Sequence, residues 1–219
     1  MKRILFIYVV MVLVAISCST SKITTSWKAE NTAPQQYKKI LVLGLIRDAD
    51  RTKQMNMEIH LVGDLQEMGY HAVSSLQEYG PKFFDNMDEE TSLSKIKNNG
   101  VDAVITIVLL DKQKERKYVP GNMFYSPYGY YYNRFWGYRT ALYHRIYEPG
   151  YYVTDTKYFW ESNFYEMSTQ KLLYSAQTQS FDPADSESLG HEYGKLIVKD
   201  MVKNDVLLKN DHTTAKAFK

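Results

Sequence analysis

The sequence predicts an α+β fold: a mixed five-stranded sheet of order 2-1-3-4-5, in a β-α-β-α-β-β-β-α-like succession, with packed helices and a long aromatic hairpin insertion. Three observations predict it. Two continuous apolar runs, 39–46 (KILVLGLI) and 101–110 (VDAVITIVLL), lack the alternation of a half-solvated strand and read as strands buried on both faces. Between them lie segments whose apolar residues recur three and four apart, so parallel pairing with right-handed crossovers is expected. Last, the strand-like segments 151–166 and 172–181 join through a turn and precede a final helical pattern.

The chain opens on a targeting pattern. Lys2 and Arg3 precede an unbroken apolar run, 4–16, shorter than the roughly 20 residues a membrane span needs and laid out as a secretory signal over 1–17. Val14-Ala15-Ile16-Ser17-Cys18 resembles the lipobox of bacterial lipoproteins, which implies acylation of Cys18 and membrane attachment through its acyl chains. Two or three chains give stable attachment where one is marginal. Cys18 is the single cysteine, so no intramolecular disulfide staples the chain. By resemblance to Gram-negative sorting rules, Ser19 and the absence of an acidic cluster over 19–25 imply an outer-membrane protein facing the periplasm.

Residues 18–36 are polar, rich in Ser and Thr, and read as a tether carrying a short strand around Ile23 to Trp27. One domain is expected over 37–208, with an insertion at 112–150 and a polar tail at 209–219. After the first buried strand, Asp48 or Asp50 can cap a helix bearing Met55, Ile59, Val62, Leu65 and Met68, ended by Gly69. Residues 70–74 read as a short strand, and Gly80-Pro81 breaks the chain. Asp88 starts a second helix through Leu93 and Ile96 to Gly100. Asp182-Pro183 and Asp185-Ser186 announce the last helix, with Leu189, Tyr193, Leu196, Ile197, Met201 and Leu208 on its apolar face.

The lipobox, the Trp27 segment, the strands KKILVLGL and GVDAVITIVLL, the tyrosine-rich interruption and the hairpin NFYEMSTQKLLYSAQTQSFDP together resemble a loose group of small Gram-negative, Bacteroidetes-like envelope lipoproteins. At the level of fold the layout is also similar to the amino-terminal domain of the Tol-system translocation protein and to curli-type secretion lipoproteins. The resemblance implies an envelope address and no particular activity.

Familiar chemical signatures are missing. The turn after Gly44, Arg47-Asp48-Ala49-Asp50, has no glycine pattern to bring backbone amides onto phosphate, and no Gly-x-Ser-x-Gly or His-Glu-x-x-His motif occurs. No cofactor and no metal are expected. His60 and Asp64, four apart, read as a solvated helix pair, as does His191-Glu192, and helix capping accounts for Asp182 and Asp185. With signal residues 1–17 removed the chain carries 25 basic and 25 acidic residues, a balance that argues against nucleic-acid binding. The enzymatic alternative places a site at the carboxyl ends of the parallel strands, from Asp48, Asp50, His71 and Asp111.

The conspicuous stretch is 118–152, which holds 11 of the 19 tyrosines together with Phe124, Phe135 and Trp136. Between 112 and 150, seven basic residues face two acids. Tyrosine offers flat contact area with a polar tip at low entropic cost, and arginine adds charge. The densest residues, Tyr130, Tyr131, Tyr132, Arg134, Trp136 and Arg139, are therefore the expected binding site, for an envelope protein, a glycan or a lipid head group. The bland reading is a hairpin whose aromatics cover the sheet or one another. The expected function is a lipid-anchored envelope binding or assembly module without catalysis; the alternatives are the strand-end enzyme and a structural homo-oligomer subunit.

Overall fold

In a computed structural model, which describes residues 20–46, 51–84, 87–119, 136, 139 and 150–208, the chain forms the elements β1 (Ser21–Lys28), β2 (Ile40–Leu45), α1 (Thr52–Glu67), β3 (Ala72–Ser74), α2 (Ser75–Tyr79), α3 (Glu89–Asn98), β4 (Ala103–Val119), β5 (Tyr151–Glu166), β6 (Lys171–Phe181) and α4 (Ser186–Lys203). The class is α+β, as expected, but the mixed sheet has six strands rather than five, in the order β1-β6-β5-β4-β2-β3. β2 pairs in parallel with both β3 and β4, the consequence of the helical crossovers between them. β5 runs antiparallel to β4, because partner numbers fall as strand numbers rise: Met167 N–H donates to the Asp102 carbonyl, and Asn163 meets Thr106.

The added strand is β1, which pairs antiparallel with β6 from Ser21 opposite Ser180 to Lys28 opposite Tyr174, through one irregularity between Ile23 and Thr25. The polar segment expected as a tether thus supplies a full edge strand, longer than the short one expected. Trp27 stays about half exposed on it.

The buried runs behave as strands with two covered faces. Ile40 and Val42 of β2 and Ala103, Ile105 and Ile107 of β4 enter a large core with Met57, Leu61 and Leu65 of α1, Trp160 and Phe164 of β5, and Leu189, Tyr193 and Ile197 of α4. Leu41 and Val104, pointing the other way, pack with Ile96 of α3 and Met167. Helices therefore cover the sheet on both sides.

Helix starts follow local chemistry. Asp88 caps α3 by accepting from Thr91 N–H at 2.8 Å, and Asp185 and Ser188 cap α4 reciprocally. α1 differs from expectation. It begins after Arg51 without a side-chain cap, while Asp48 and Asp50 lie outside the described residues. Its buried stripe is Met57, Glu58, Leu61, Val62 and Leu65, leaving the expected core residues Met55 and Ile59 exposed. α4 ends at Lys203, so Leu208 lies past it, its N–H donating to Tyr70 Oη.

The chain divides into two compact units, one of residues 1–112 and 158–219, the other of 113–157. β4 runs from the first unit to Val119 in the second, and β5 starts at Tyr151; of the expected insertion, 112–150, the residues between them other than 136, 139 and 150 lie outside the described residues.

Candidate functional site

At the carboxyl ends of β2 and β3 the sequence places one charged residue inside an apolar stripe. Glu58 is fully buried and accepts five hydrogen bonds: Gly44 N–H, Gln54 Nε2 and Ser75 Oγ on Oε1, each at 2.9 Å, and Ser74 Oγ and Leu76 N–H on Oε2 at 2.6 and 3.0 Å. A buried carboxylate persists only when its lone pairs are occupied. Here they tie α1 to β2, β3 and the start of α2. Gly44 is required by proximity, because a Cβ would stand 2.7 Å from Gln54 Cγ and 2.9 Å from Glu58 Oε1.

This hub underlies a cavity of about 490 Å³ whose lining includes Gly44, Ile46, Arg51, Gln54, Ser75 and Phe84. The cavity sits where α/β sites usually lie; of the residues expected there, Asp48 and Asp50 lie outside the described residues, and His71 and Asp111 are not among its lining. His71 precedes β3, its carbonyl accepting from Ile40 N–H, and so lies at the amino end of the parallel strands. Asp111 is an exposed residue within β4, beyond Val108, where the pairing with β2 ends. Glu58 carried a readable signal, a Glu in register with Leu61, Val62 and Leu65, that periodicity analysis passed over.

Where α1 and α4 cross, glycines replace side chains: at Gly190 and Gly194 a Cβ would press on the α1 backbone at Asn56, His60 and Leu61. Asp64 is half-buried against Gly194, with one oxygen unpaired, and His60 meets His191 edge-on at 5.6 Å. His60 and Asp64 are thus packed against a second helix rather than forming a solvated pair. Burial, helped by Glu67, raises the Asp64 pKa from 3.8 to about 6, while His191 and Lys195 oppose the shift. A carboxyl raised in the folded state contributes stability that is fully present below its unfolded pKa near 4 and is lost as pH rises through about 6. Asp64→Asn is therefore expected to stabilise the protein by about 1 kcal/mol above pH 7, screening by solvent included, and to leave it unchanged near pH 4. Thermal unfolding at the two pH values checks this. Among the described residues no group of three or more His, Cys, Asp or Glu could hold a metal ion.

The second unit carries the expected binding residues. Tyr130, Tyr131, Tyr132 and Arg134 lie outside the described residues. Trp136 and Arg139 are described: the guanidinium stands 5.4 Å from the indole ring, and Trp136 is 68% exposed. The flanking strand β5 lies where the sequence reading expected it, at 151–166, whereas β4 runs on past the expected end at 110 to Val119, and the alternation of the two makes a two-faced ribbon. On one face Arg116 lies 4.1 Å from the Tyr152 ring centroid, and Tyr118 packs on the same ring at 5.1 Å. On the other, Lys117 pairs with Asp155 at 2.6 Å and Lys157 with Glu115 at 2.7 Å. The hydrogen bond and charge of Lys157 hold the Glu115 carboxyl below its usual range. Exposed pairs of this kind contribute little to stability, because solvent screens them. Tyr118, Tyr151 and Tyr152 are all more than half exposed.

Among the described residues no helix is long and apolar enough to cross a membrane. No protein-family model and no curated protein sequence matches the chain. Among solved structures it is similar to a PelC dodecamer from Paraburkholderia phytofirmans, at 9% identity over 86% of this chain and 99% of that one, with a TM-score of 0.43. Lipoprotein GNA1162 from Neisseria meningitidis matches at 13% identity over 76% and 99%, with a TM-score of 0.42. A neuraminyllactose-binding hemagglutinin homolog from Helicobacter pylori matches at 9% identity over 82% and 92%, with a TM-score of 0.40. At these identities and scores the likeness transfers no function to this chain.

Proposed function

We propose that this protein is a lipid-anchored module of the cell envelope, held in the outer membrane by acyl chains on Cys18 and facing the periplasm, which binds a protein partner through its Tyr/Arg-rich insertion without catalysing a reaction. The observation that carries the reading is the ribbon face on which Arg116 stacks on Tyr152 beside Tyr118, continued in sequence by the exposed Trp136–Arg139 pair. Aromatic rings and arginine left at the surface are the residues that dominate protein interfaces. Ring area, a polar rim and stacked guanidinium groups suit a folded protein surface better than a small solute, which needs a concave pocket. The anchor is supported by the Lys2-Arg3, 4–16 and 14–18 patterns.

In-cell crosslinking of the acylated protein tests this, run beside a variant in which residues 122–146 are replaced by a short Gly/Ser linker. One envelope protein is expected to be recovered with the native chain and lost with the variant. Arg116→Glu, which inverts the stacked cation without touching the core, is expected to reduce that recovery about tenfold. Equal recovery from all three chains would overturn the reading, and recovery of a glycan or lipid alone would replace its partner class.

A further inference from the structure

The chain enters the fold beside a basic cleft. Thr20 is held on α4, its N–H and Oγ1 donating to Glu192 Oε2 at 2.9 and 2.8 Å, and β1 begins at the next residue. Next to this attachment lies a cleft of about 490 Å³ lined by Ser21, Lys22 and Ile23 of β1 and by His191, Lys195, Leu196 and Lys199 of α4, with Glu192 its one acid among the described residues. Lys195 and Lys199 stand one turn apart on the same helix face, and they and Lys22 are exposed. Lys22 is held over the Phe181 ring at 5.4 Å, and Lys195 lies 3.0 Å from His191 Nε2. Lys195 and Lys199 of α4 and Lys22 of β1 thus line a cleft with two aliphatic side chains, Ile23 and Leu196, while its carboxylate is engaged by Thr20.

Position selects the ligand. Two peptide steps separate Thr20 from Cys18, at most about 7 Å of extended backbone. Acyl chains on that cysteine would bring the bilayer surface to the cleft, with no tether to hold it away. We infer that this cleft binds the phosphate of an anionic phospholipid headgroup in the membrane that holds the Cys18 acyl chains, so that the start of β1 and the Lys195–Lys199 face of α4 lie against the bilayer. The inference rests on the anchoring part of the proposed function and is independent of what the tyrosine-rich insertion binds. Acyl attachment and a basic surface reinforce each other because the lipid brings the lysines within the short range of the surface potential.

The test uses the full acylated protein, its acyl groups verified by mass, reconstituted into vesicles of phosphatidylcholine alone or mixed with phosphatidylglycerol. Lysines are labelled with a water-soluble amine-reactive ester and read by mass spectrometry. Lys22, Lys195 and Lys199 are expected to label about fivefold more slowly in the anionic vesicles, with Lys97 on α3 labelling alike in both. Lys195→Gln with Lys199→Gln, both exposed and outside the core, is expected to abolish the protection of Lys22. Equal rates in the two vesicles for the acylated chain would overturn the site while leaving the anchor standing. Protection in phosphatidylcholine on adding inorganic phosphate would assign the cleft to a free anion and overturn the lipid assignment. A chain recovered without acyl groups would overturn the anchor and the site together.

Discussion

Replacing Glu58 by alanine is expected to lower the free energy of unfolding by about 3–5 kcal/mol, a large part of the stability of an ordinary domain. The substitution removes the acceptor of five hydrogen bonds at once, from the Gly44 and Leu76 amides, the Ser74 and Ser75 hydroxyls and Gln54 Nε2, of which Gln54 keeps a second acceptor, the Gly44 carbonyl. Each orphaned buried donor costs about 1–3 kcal/mol, and the hydroxyls recover part of this by turning to other acceptors. Glu58→Gln keeps the volume but sets an NH2 group against donors, so an intermediate loss is expected. Urea unfolding measures both, and an alanine variant within about 1 kcal/mol of the parent would show that Glu58 does not organise the strand ends.

The second large effect belongs to the α1–α4 crossing. Gly194→Leu is expected to destabilise by about 2–3 kcal/mol, because the new side chain meets the Leu61 Cα at 3.2 Å and the His60 carbonyl carbon at 3.3 Å, as well as the Asp64 carboxyl. Backbone cannot rotate away as a side chain can, so the helices must separate. Gly63 is the internal control: it lies inside α1, and a Cβ there meets nothing within 4 Å. Gly63→Ala is therefore expected to stabilise by about 0.5–1 kcal/mol through helix propensity. Thermal unfolding of the two variants should move in opposite directions, and a shift of the same sign in both would contradict the close approach at Gly194.

What was legible in the sequence was what repeats. The runs at 40–44 and 103–107 bury both faces, and such strands need no partner to be recognised. β1 was only partly legible, because an edge strand pairs on one side and buries little: of Ser21–Lys28, Ser21 alone is buried. Glu58 was hidden for the opposite reason, since the donors that make it tolerable come from positions 14 residues upstream and up to 18 downstream. Asp64 likewise looked solvated until α4 closed over it at Gly194, a contact between segments about 130 residues apart. The aromatic, basic stretch was visible as composition, but its division into a stacked aromatic face and an ion-paired face depends on the register of β4 against β5.

The central claim, that the insertion is a docking surface, is tested most directly by site-specific photocrosslinking in living cells, with the photoreactive side chain placed at Trp136, at Tyr152 or, as a control, at Lys97. Trp136 and Tyr152 are exposed in the second unit, and Lys97 is exposed on α3 in the first. The account predicts one and the same envelope protein attached at Trp136 and Tyr152 and not at Lys97. Equal adducts at all three positions, or none at Trp136 and Tyr152, would contradict it.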